Sequence, residues 1–384
     1  MVTLFKKQIK EQTGSYRSWR PSPQQIKLLQ TVILSDAAAL DAWQSWKQEV
    51  DLDHLDEGSY QLLPRLYRRL HQLQVTDELM PRLKGVYRHV WSRNQVNLRQ
   101  LSKVVTALGQ QNITVGLLWG AATVSRPDTD PGICRTDDSS LWVRSHDLPT
   151  ALAVLQQQGW VPTQNKPVAV LRSQQHAVGL RHSNRANLTL YWHPLSACQP
   201  IEIDLWRQAQ TVDIGETQVQ LLEPTDQFLL SCVRATRWES IPPFHWLADA
   251  AALAKQIDSQ RLIQHAQVCQ LTYALRQALT VLVNLGQTVH RPILQQLQAY
   301  PISYFEQVEF HTYSGPACFG SLPRLWCQWM RLQPVLLSDP VISDFAAPNF
   351  LTFLQQRWGL SQSWQVPLHV LRQGSRKLYH LGDR

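Results

Sequence analysis

Apolar residues recur at three- and four-residue intervals through the first hundred positions. From Pro23 to Val50 the stripe passes through Ile26, Leu29, Ile33, Leu40, Trp43 and Trp46, and Ser35-Asp36 interrupts it with residues that can cap a second helix. A third helix is expected over Tyr60 to Leu73, with Leu62, Leu66 and Leu70 on one stripe and Arg65, Arg68 and Arg69 outside it. A long fourth runs from about Glu78 to Gly109 through Leu83, Val86, Val90, Val96 and Leu101. Such stripes bury against one another, and their charged faces need no ligand to explain them.

At Ile113 the period changes to two. Ile113, Val115 and Leu117 alternate with Thr114 and Gly116, and Gly120-Ala121-Ala122 allows a tight turn into a helix that could present backbone N–H groups to a phosphate. Pro127 to Gly132 reads as a loop leading to a second strand, in which Asp138, Ser140 and Trp142 share one face and Ser139, Leu141 and Val143 the other. Asp147 can cap a helix through Gln158, ended by Gly159. Short strands are then expected at Trp160 to Pro162, Val168 to Leu171, His176 to Leu180 and Asn187 to Trp192. In the last of these Thr189, Tyr191 and His193 form the polar face. Ile201 to Trp206 repeats the alternation with Glu202 and Asp204 on its polar face, and Val219 to Leu222 closes the series. Helical periodicity returns at Asp226 to Trp238, Phe244 to Gln256, Asp258 to Gln267 and Leu271 to Gly286. Beyond Pro301 helices are expected around Leu322 to Leu332 and Phe350 to Trp358. In the tail from Pro367 to Leu381, Pro367 and Gly374 argue against one continuous amphipathic helix.

Composition narrows the class. With 384 residues, 44% hydrophobic and 17% charged, the chain can bury a large core in two or three closely joined subdomains. No run of about 18 apolar residues occurs, and Met1 to Lys7 lacks the apolar stretch of a secretory signal, so a cytoplasmic protein without a transmembrane segment is expected. The six cysteines contain no C-x-x-C pair, which points to reduced thiols and away from zinc or a disulfide framework; Cys134 beside Arg135 is the one candidate for a reactive thiolate. Residues 1 to 30 carry a net charge of +5 and residues 351 to 384 a net of +4, so the overall +8 belongs to the ends and the body carries −1. Solvated tails are the plain interpretation. The functional one is contact of the termini with nucleic acid, an acidic protein or an anionic membrane surface.

The order of these landmarks resembles the large uncharacterised bacterial nucleotidyltransferase family, whose catalytic half belongs to the DNA-polymerase-beta-like superfold. That family shows a Leu-Leu-Lys-Gly turn, an Arg shortly before Asp-Ile-Asp-Leu-Leu-Val, a helix ending in Gly-Tyr or Gly-Trp, a strand like Glu-Leu-His-Trp and a Trp-Leu-x-Asp helix. Here the counterparts are Leu117-Leu118-Trp119-Gly120, Arg135, Asp138-Ser139-Ser140-Leu141-Trp142-Val143, Gly159-Trp160, Thr189-Leu190-Tyr191-Trp192 and Trp246-Leu247-Ala248-Asp249. Leu62-Leu63-Pro64-Arg65-Leu66-Tyr67 is similar to its N-terminal helical motif.

The resemblance implies two-metal phosphoryl transfer, with carboxylates on adjacent strands holding Mg²⁺ against a nucleoside triphosphate. The matching positions are Asp138, Ser140 and Thr189, of which one keeps a carboxylate. Trp119 stands in place of a lysine and Tyr191 in place of a histidine. If the site is active, Gly120, Arg135 and Asp138 would bind the nucleotide, and Glu202 and Asp204 could supply relocated metal ligands beside Asp138. Asp137 should point away from it on a regular strand. The plainer alternatives are that Asp138 caps a turn or pairs with Arg135, that Gly120 serves a positive φ, and that Trp119 and Trp142 fill the former pocket.

The expected fold class is α+β, a nucleotidyltransferase-like mixed sheet flanked by helical subdomains. The expected division is a basic arm at 1–22, helices at 23–110, the α/β core at 111–222, helices at 223–300 and an irregular extension with a basic tail at 301–384. The expected function is that of a catalytically inactive or impaired nucleotidyltransferase-fold protein acting as a binding or scaffold protein, needing no cofactor and engaging a protein partner. The alternative is an active Mg²⁺-dependent nucleotidyltransferase moving a nucleoside monophosphate from NTP to an acceptor.

Overall fold

Among the described residues Ser22 starts the first helix with a capping box: its hydroxyl accepts the Gln25 N–H at 3.2 Å, and the Gln25 side chain accepts the Ser22 N–H at 2.9 Å. The computed structural model describes residues 19–136, 138–164, 166–183, 186–215, 217–237, 244–315, 322–338 and 349–372. Most of the expected basic arm, the tail beyond 372, Asp137 and Cys318 lie outside the described residues. The capped helix is α1 (Pro23–Ile33), followed by α2 (Asp36–Lys47), α3 (Glu57–Gln72) and α4 (Met80–Gly109). Asp56 caps α3 by accepting the Ser59 N–H at 3.0 Å. At thirty residues α4 is roughly 45 Å long. That length lets Leu83 serve one core while Leu101, Val104, Val105 and Leu108 serve another.

The middle of the chain forms β1 (Gly116–Leu117), α5 (Trp119–Val124), β2 (Asp138–Trp142), α6 (Leu148–Gln157), β3 (Trp160–Pro162), α7 (Val168–Gln174), β4 (Ala177–His182), β5 (Asn187–Tyr191), α8 (Glu202–Gln208), β6 (Gln210–Ile214) and β7 (Thr217–Leu221). Among the described residues the strands make one seven-stranded sheet in the order β3-β4-β5-β2-β1-β7-β6. β2 runs parallel to β5 and β1 parallel to β7, while the other neighbours are antiparallel, so the sheet is mixed. Alternation divides its faces: Leu141, Leu188, Leu190, Val219 and Leu221 enter the core against α4 and α6, whereas Trp142 turns to the opposite core.

That opposite core is built by helices from both sides of the sheet segment in sequence. Leu28, Trp43, Leu62 and Leu66 pack with residues of α9 (Pro224–Ala235), α10 (His245–Leu253), α11 (Ser259–Val268) and α12 (Thr272–Asn284), among them Phe228, Leu247, Leu262 and Leu279. The chain continues through α13 (Arg291–Gln298), α14 (Tyr304–Tyr313), α15 (Leu322–Ser338) and α16 (Phe350–Trp358), and Leu325, Leu332, Phe353, Leu354 and Val366 make a small third core. No helix among the described residues is long and apolar enough to cross a membrane. The molecule is α+β.

Two expectations from the sequence are corrected. Ile201 to Trp206 is not a strand but a 3-10 turn (Ser196–Ile201) running into α8. Ile203, which alternation would place beside Ile201 and Leu205, is 75% exposed while those two are buried. Glu202 and Asp204 in the first turn suit the positive end of a helix dipole, which a strand does not offer. Val168 to Leu171 is likewise the start of α7, entered from Pro167, because a short apolar run carries no period of its own. Residues 365–372 are helical with Pro367 in the first turn, where its missing N–H costs nothing; whether the helix expected to be broken continues past Gly374 falls outside the described residues. The strand β6 and the helices α13 and α14 are additions. Ser303 and Glu306 of α14 form a capping box that was readable in the sequence.

Candidate functional site

The candidate site is built where β1 turns into α5. Leu118 donates its N–H to the Ser140 carbonyl at 3.0 Å, which fixes the turn against β2. The left-handed residue in it is Trp119, at φ 58°, and not Gly120. A bulky side chain rarely occupies that region, and holding it there costs about 1–3 kcal/mol. Gly120 has a different reason to be glycine: a Cβ on it would lie 2.8 Å from the Arg135 carbonyl oxygen. The expectation that Gly120 serves a positive φ is therefore replaced by a close approach of two backbones.

The head of β2 is held by α4 and α3. Asn94, 1% exposed, donates to the carbonyls of Pro131 at 2.6 Å and Cys134 at 2.7 Å, and accepts the Thr136 N–H at 3.1 Å and hydroxyl at 2.7 Å. Asn97 adds a bond to the Thr136 carbonyl at 2.7 Å. Tyr87 donates to Asp130 at 2.9 Å, and Arg68 pairs with the same carboxylate at 2.5 Å. Burial, then Asp130, pushes the Tyr87 phenol up to about 12. Arg135 reaches Glu57 at 2.8 Å. The Cys134 thiol is pushed up by burial to about 12, so it is a protonated thiol and not the reactive thiolate considered from its neighbour Arg135. Arg65 and Asp249, one from each helical landmark motif, form a buried ion pair between α3 and α10. Burial raises the Asp249 carboxyl, and Arg65 opposes that rise.

Ser140 and Thr189 are direct register partners on the parallel strands β2 and β5, and Asp138 pairs with Asn187. The Asp138 side chain lies outside the described residues, whereas its backbone heads β2. Glu202 and Asp204, two positions apart on α8, are about 200° apart around a helix, so they share no strand face. Glu202 lies 3.0 Å from the His193 ring, and Asp204 is 2.8 Å from Arg261 and 3.1 Å from His265. Among the described residues no group of three His, Cys, Asp or Glu side chains is arranged to hold a metal ion.

Aromatic rings stand in front of this strand pair. Trp119 meets Tyr191 edge to face, with centroids 6.2 Å apart, and Trp246 at 5.7 Å. The Arg234 guanidinium lies over both indoles, 4.3 Å from the Trp119 centroid and 4.8 Å from that of Trp246. The Trp119 indole N–H is buried without a hydrogen-bond partner among the described residues. Deeper in, Trp142 is fully buried and stacks on Trp206 at 3.7 Å, with Arg144 over Trp206. Tertiary structure thus adds Asn94, Arg234 and Trp206 to the residues the sequence had singled out. A stray arginine on an amphipathic helix gives no local signal that it will cap an indole from another part of the chain.

No curated protein matches the chain. Among solved structures it is similar to an antigenic nucleotidyltransferase-like protein from Paracoccidioides brasiliensis, at 19% identity over 57% of this chain and 94% of that one, with a TM-score of 0.31. The model of a family described as uncharacterised nucleotidyltransferase matches residues 59–286, from the start of α3 to the end of α12, and the chain belongs to that family.

Proposed function

We propose that this protein keeps the nucleotidyltransferase architecture without carrying out phosphoryl transfer, and acts as a binding or scaffold protein. The observation that carries the proposal is the strand pair at the centre of the site. Ser140 and Thr189 sit side by side where the family pattern implies two of three carboxylates. Mg²⁺ bridging a triphosphate requires charged oxygen ligands, and neutral hydroxyls do not supply the charge. The donor set at these positions does not fit a two-metal centre. Trp119, in place of a lysine, holds Arg234 by its ring face together with Trp246, and Tyr191, in place of a histidine, meets the Trp119 ring edge to face. Indole faces of this kind are more often binding surface than phosphate cradle.

Calorimetric titration of Mg²⁺-ATP and Mg²⁺-GTP into the full chain tests this. The expected result is no Mg²⁺-dependent heat. Micromolar, Mg²⁺-dependent binding that disappears in Asp138→Ala would establish the alternative, an active nucleotidyltransferase using Asp138 with a relocated carboxylate.

A further inference from the structure

A cleft of about 550 Å³ opens between the ends of β4 and β5, α9 and the C-terminal helices α15 and α16. Its wall contains four arginines: Arg234 from α9, Arg237 just beyond it, Arg324 from α15 and Arg357 from α16. No Asp or Glu is present among its described lining residues. Gly120, Arg135, Ser140 and Thr189 do not line it either, so the cleft meets the candidate site through the shared Tyr191 and Arg234. Arg324 and Arg357 lie beyond the segment matched by the family model, which makes half of this basic wall a property of the extension.

We propose that this cleft is a binding site for a small phosphate ester carried on a polyhydroxylated ring, a sugar phosphate or a nucleoside monophosphate, taken up without a metal ion. The four guanidiniums converge from three elements around a volume that suits such a ligand. Arg234 is held by indole faces, Arg324 donates to the Gly315 carbonyl at 3.1 Å, and Arg237 stands 3.6 Å from Glu309, a carboxylate already bonded by Arg331 at 2.6 Å. Arg237 and Arg324 both lie against the Tyr313 ring, at 4.9 and 5.2 Å, which presents their forks in one region. For hydroxyl groups the wall offers Gln174, Gln175, Ser196 and Gln328, and the buried Gln328 Oε1 has no donor among the described residues. Tyr191 and Trp358 supply ring faces for a sugar or base. The neighbouring His176 is kept neutral, its pKa brought down to about 3 by burial and then by Arg237, His193 and Arg234, as a positive surrounding requires.

The test is titration of the full chain, in EDTA, with inorganic phosphate, ribose 5-phosphate and AMP, followed by tryptophan fluorescence and thermal shift. Saturable binding of ribose 5-phosphate or AMP, at least tenfold tighter than inorganic phosphate, is expected. Preference for AMP would assign the nucleoside form, and equal binding of both the sugar phosphate. Arg357→Gln should weaken binding at least tenfold. Gln328→Glu places a carboxylate among the arginines, so it should abolish binding while leaving the melting temperature equal or higher, which separates loss of the site from loss of the fold. Arg99→Gln, on the exposed face of α4, is the control. Absence of saturable binding, or binding unchanged in Gln328→Glu, overturns the proposal. Because the titration excludes Mg²⁺ and does not involve Asp138, its result is independent of the test for phosphoryl transfer.

Discussion

Asn94 uses its whole amide to pin the loop ahead of β2, and no sequence pattern marks it, because an asparagine in a long helix reads as a solvent-facing residue. Asn94→Ala removes four hydrogen bonds and leaves Thr136 groups buried without partners, so a loss of about 2–4 kcal/mol is expected. Urea unfolding should show a lower midpoint at unchanged slope, and a loss below about 1 kcal/mol would mean the loop has other anchors. Two glycines make a matched pair. At Gly120 a methyl group would meet the Arg135 carbonyl, so Gly120→Ala should destabilise by about 1–3 kcal/mol, as overpacking against backbone does. At Gly85, inside α4, a methyl group would have no neighbouring atom within 4 Å, so Gly85→Ala should stabilise by up to about 1 kcal/mol through helix propensity alone. Thermal melts of the two variants should move in opposite directions. That Gly120 matters was legible from its place in the turn; the backbone that excludes a side chain there was not, since Arg135 is brought to it only by the folded loop.

Elements were legible where they are long and periodic. The helices α3 and α4 and the alternating strands β2 and β5 follow from spacing, and α16 has the expected bounds, from Phe350 to Trp358. Failures came at short segments, where Ile201 to Trp206 satisfies alternation and yet folds as a helix that buries Ile201, Leu205 and Trp206. The joint between α14 and α15 was invisible in sequence. Arg331 of α15 bonds Glu309 of α14 at 3.0 and 2.6 Å and the carbonyls of Cys269 and Gln270 at 2.8 and 2.9 Å, in a buried setting. Burial raises the Glu309 carboxyl, but Arg331 and then Arg237 bring it below its ordinary value. A lowered carboxyl pKa stabilises the fold above the unfolded value, and that contribution is lost as pH falls through the folded one. Glu309→Gln leaves the guanidinium buried without its counter-charge and should cost about 3–5 kcal/mol. Hydrogen exchange should quicken in α14 to α16 before α1 to α3; a uniform change over both regions would show that the joint is part of one cooperative unit.

For the whole molecule, one part of the pH response comes from a histidine in the helical core. His290 is fully buried near Phe228, and neither ring nitrogen has a hydrogen-bond partner among the described residues. Burial brings its pKa down to about 4. The unfolded chain takes up a proton below about pH 6.5 that the folded chain refuses, so stability falls as pH drops from that value toward 4. His290→Phe should remove this part of the slope, a difference of about 2 kcal/mol between pH 7 and pH 4.5 in the pH dependence of unfolding. An unchanged slope would assign the acid sensitivity elsewhere. The sequence by itself determined the α+β class, the order of the landmarks and the acidic residue at the head of β2, because periodicity and residue chemistry are local and are written in neighbouring positions. Only the tertiary structure decided that helices from both sides of the sheet share one core, that Ser140 and Thr189 stand side by side, and that Arg234 lies across Trp119 and Trp246. Those pairings join residues distant in sequence, and they are fixed by which surfaces exclude water together, which no local pattern records.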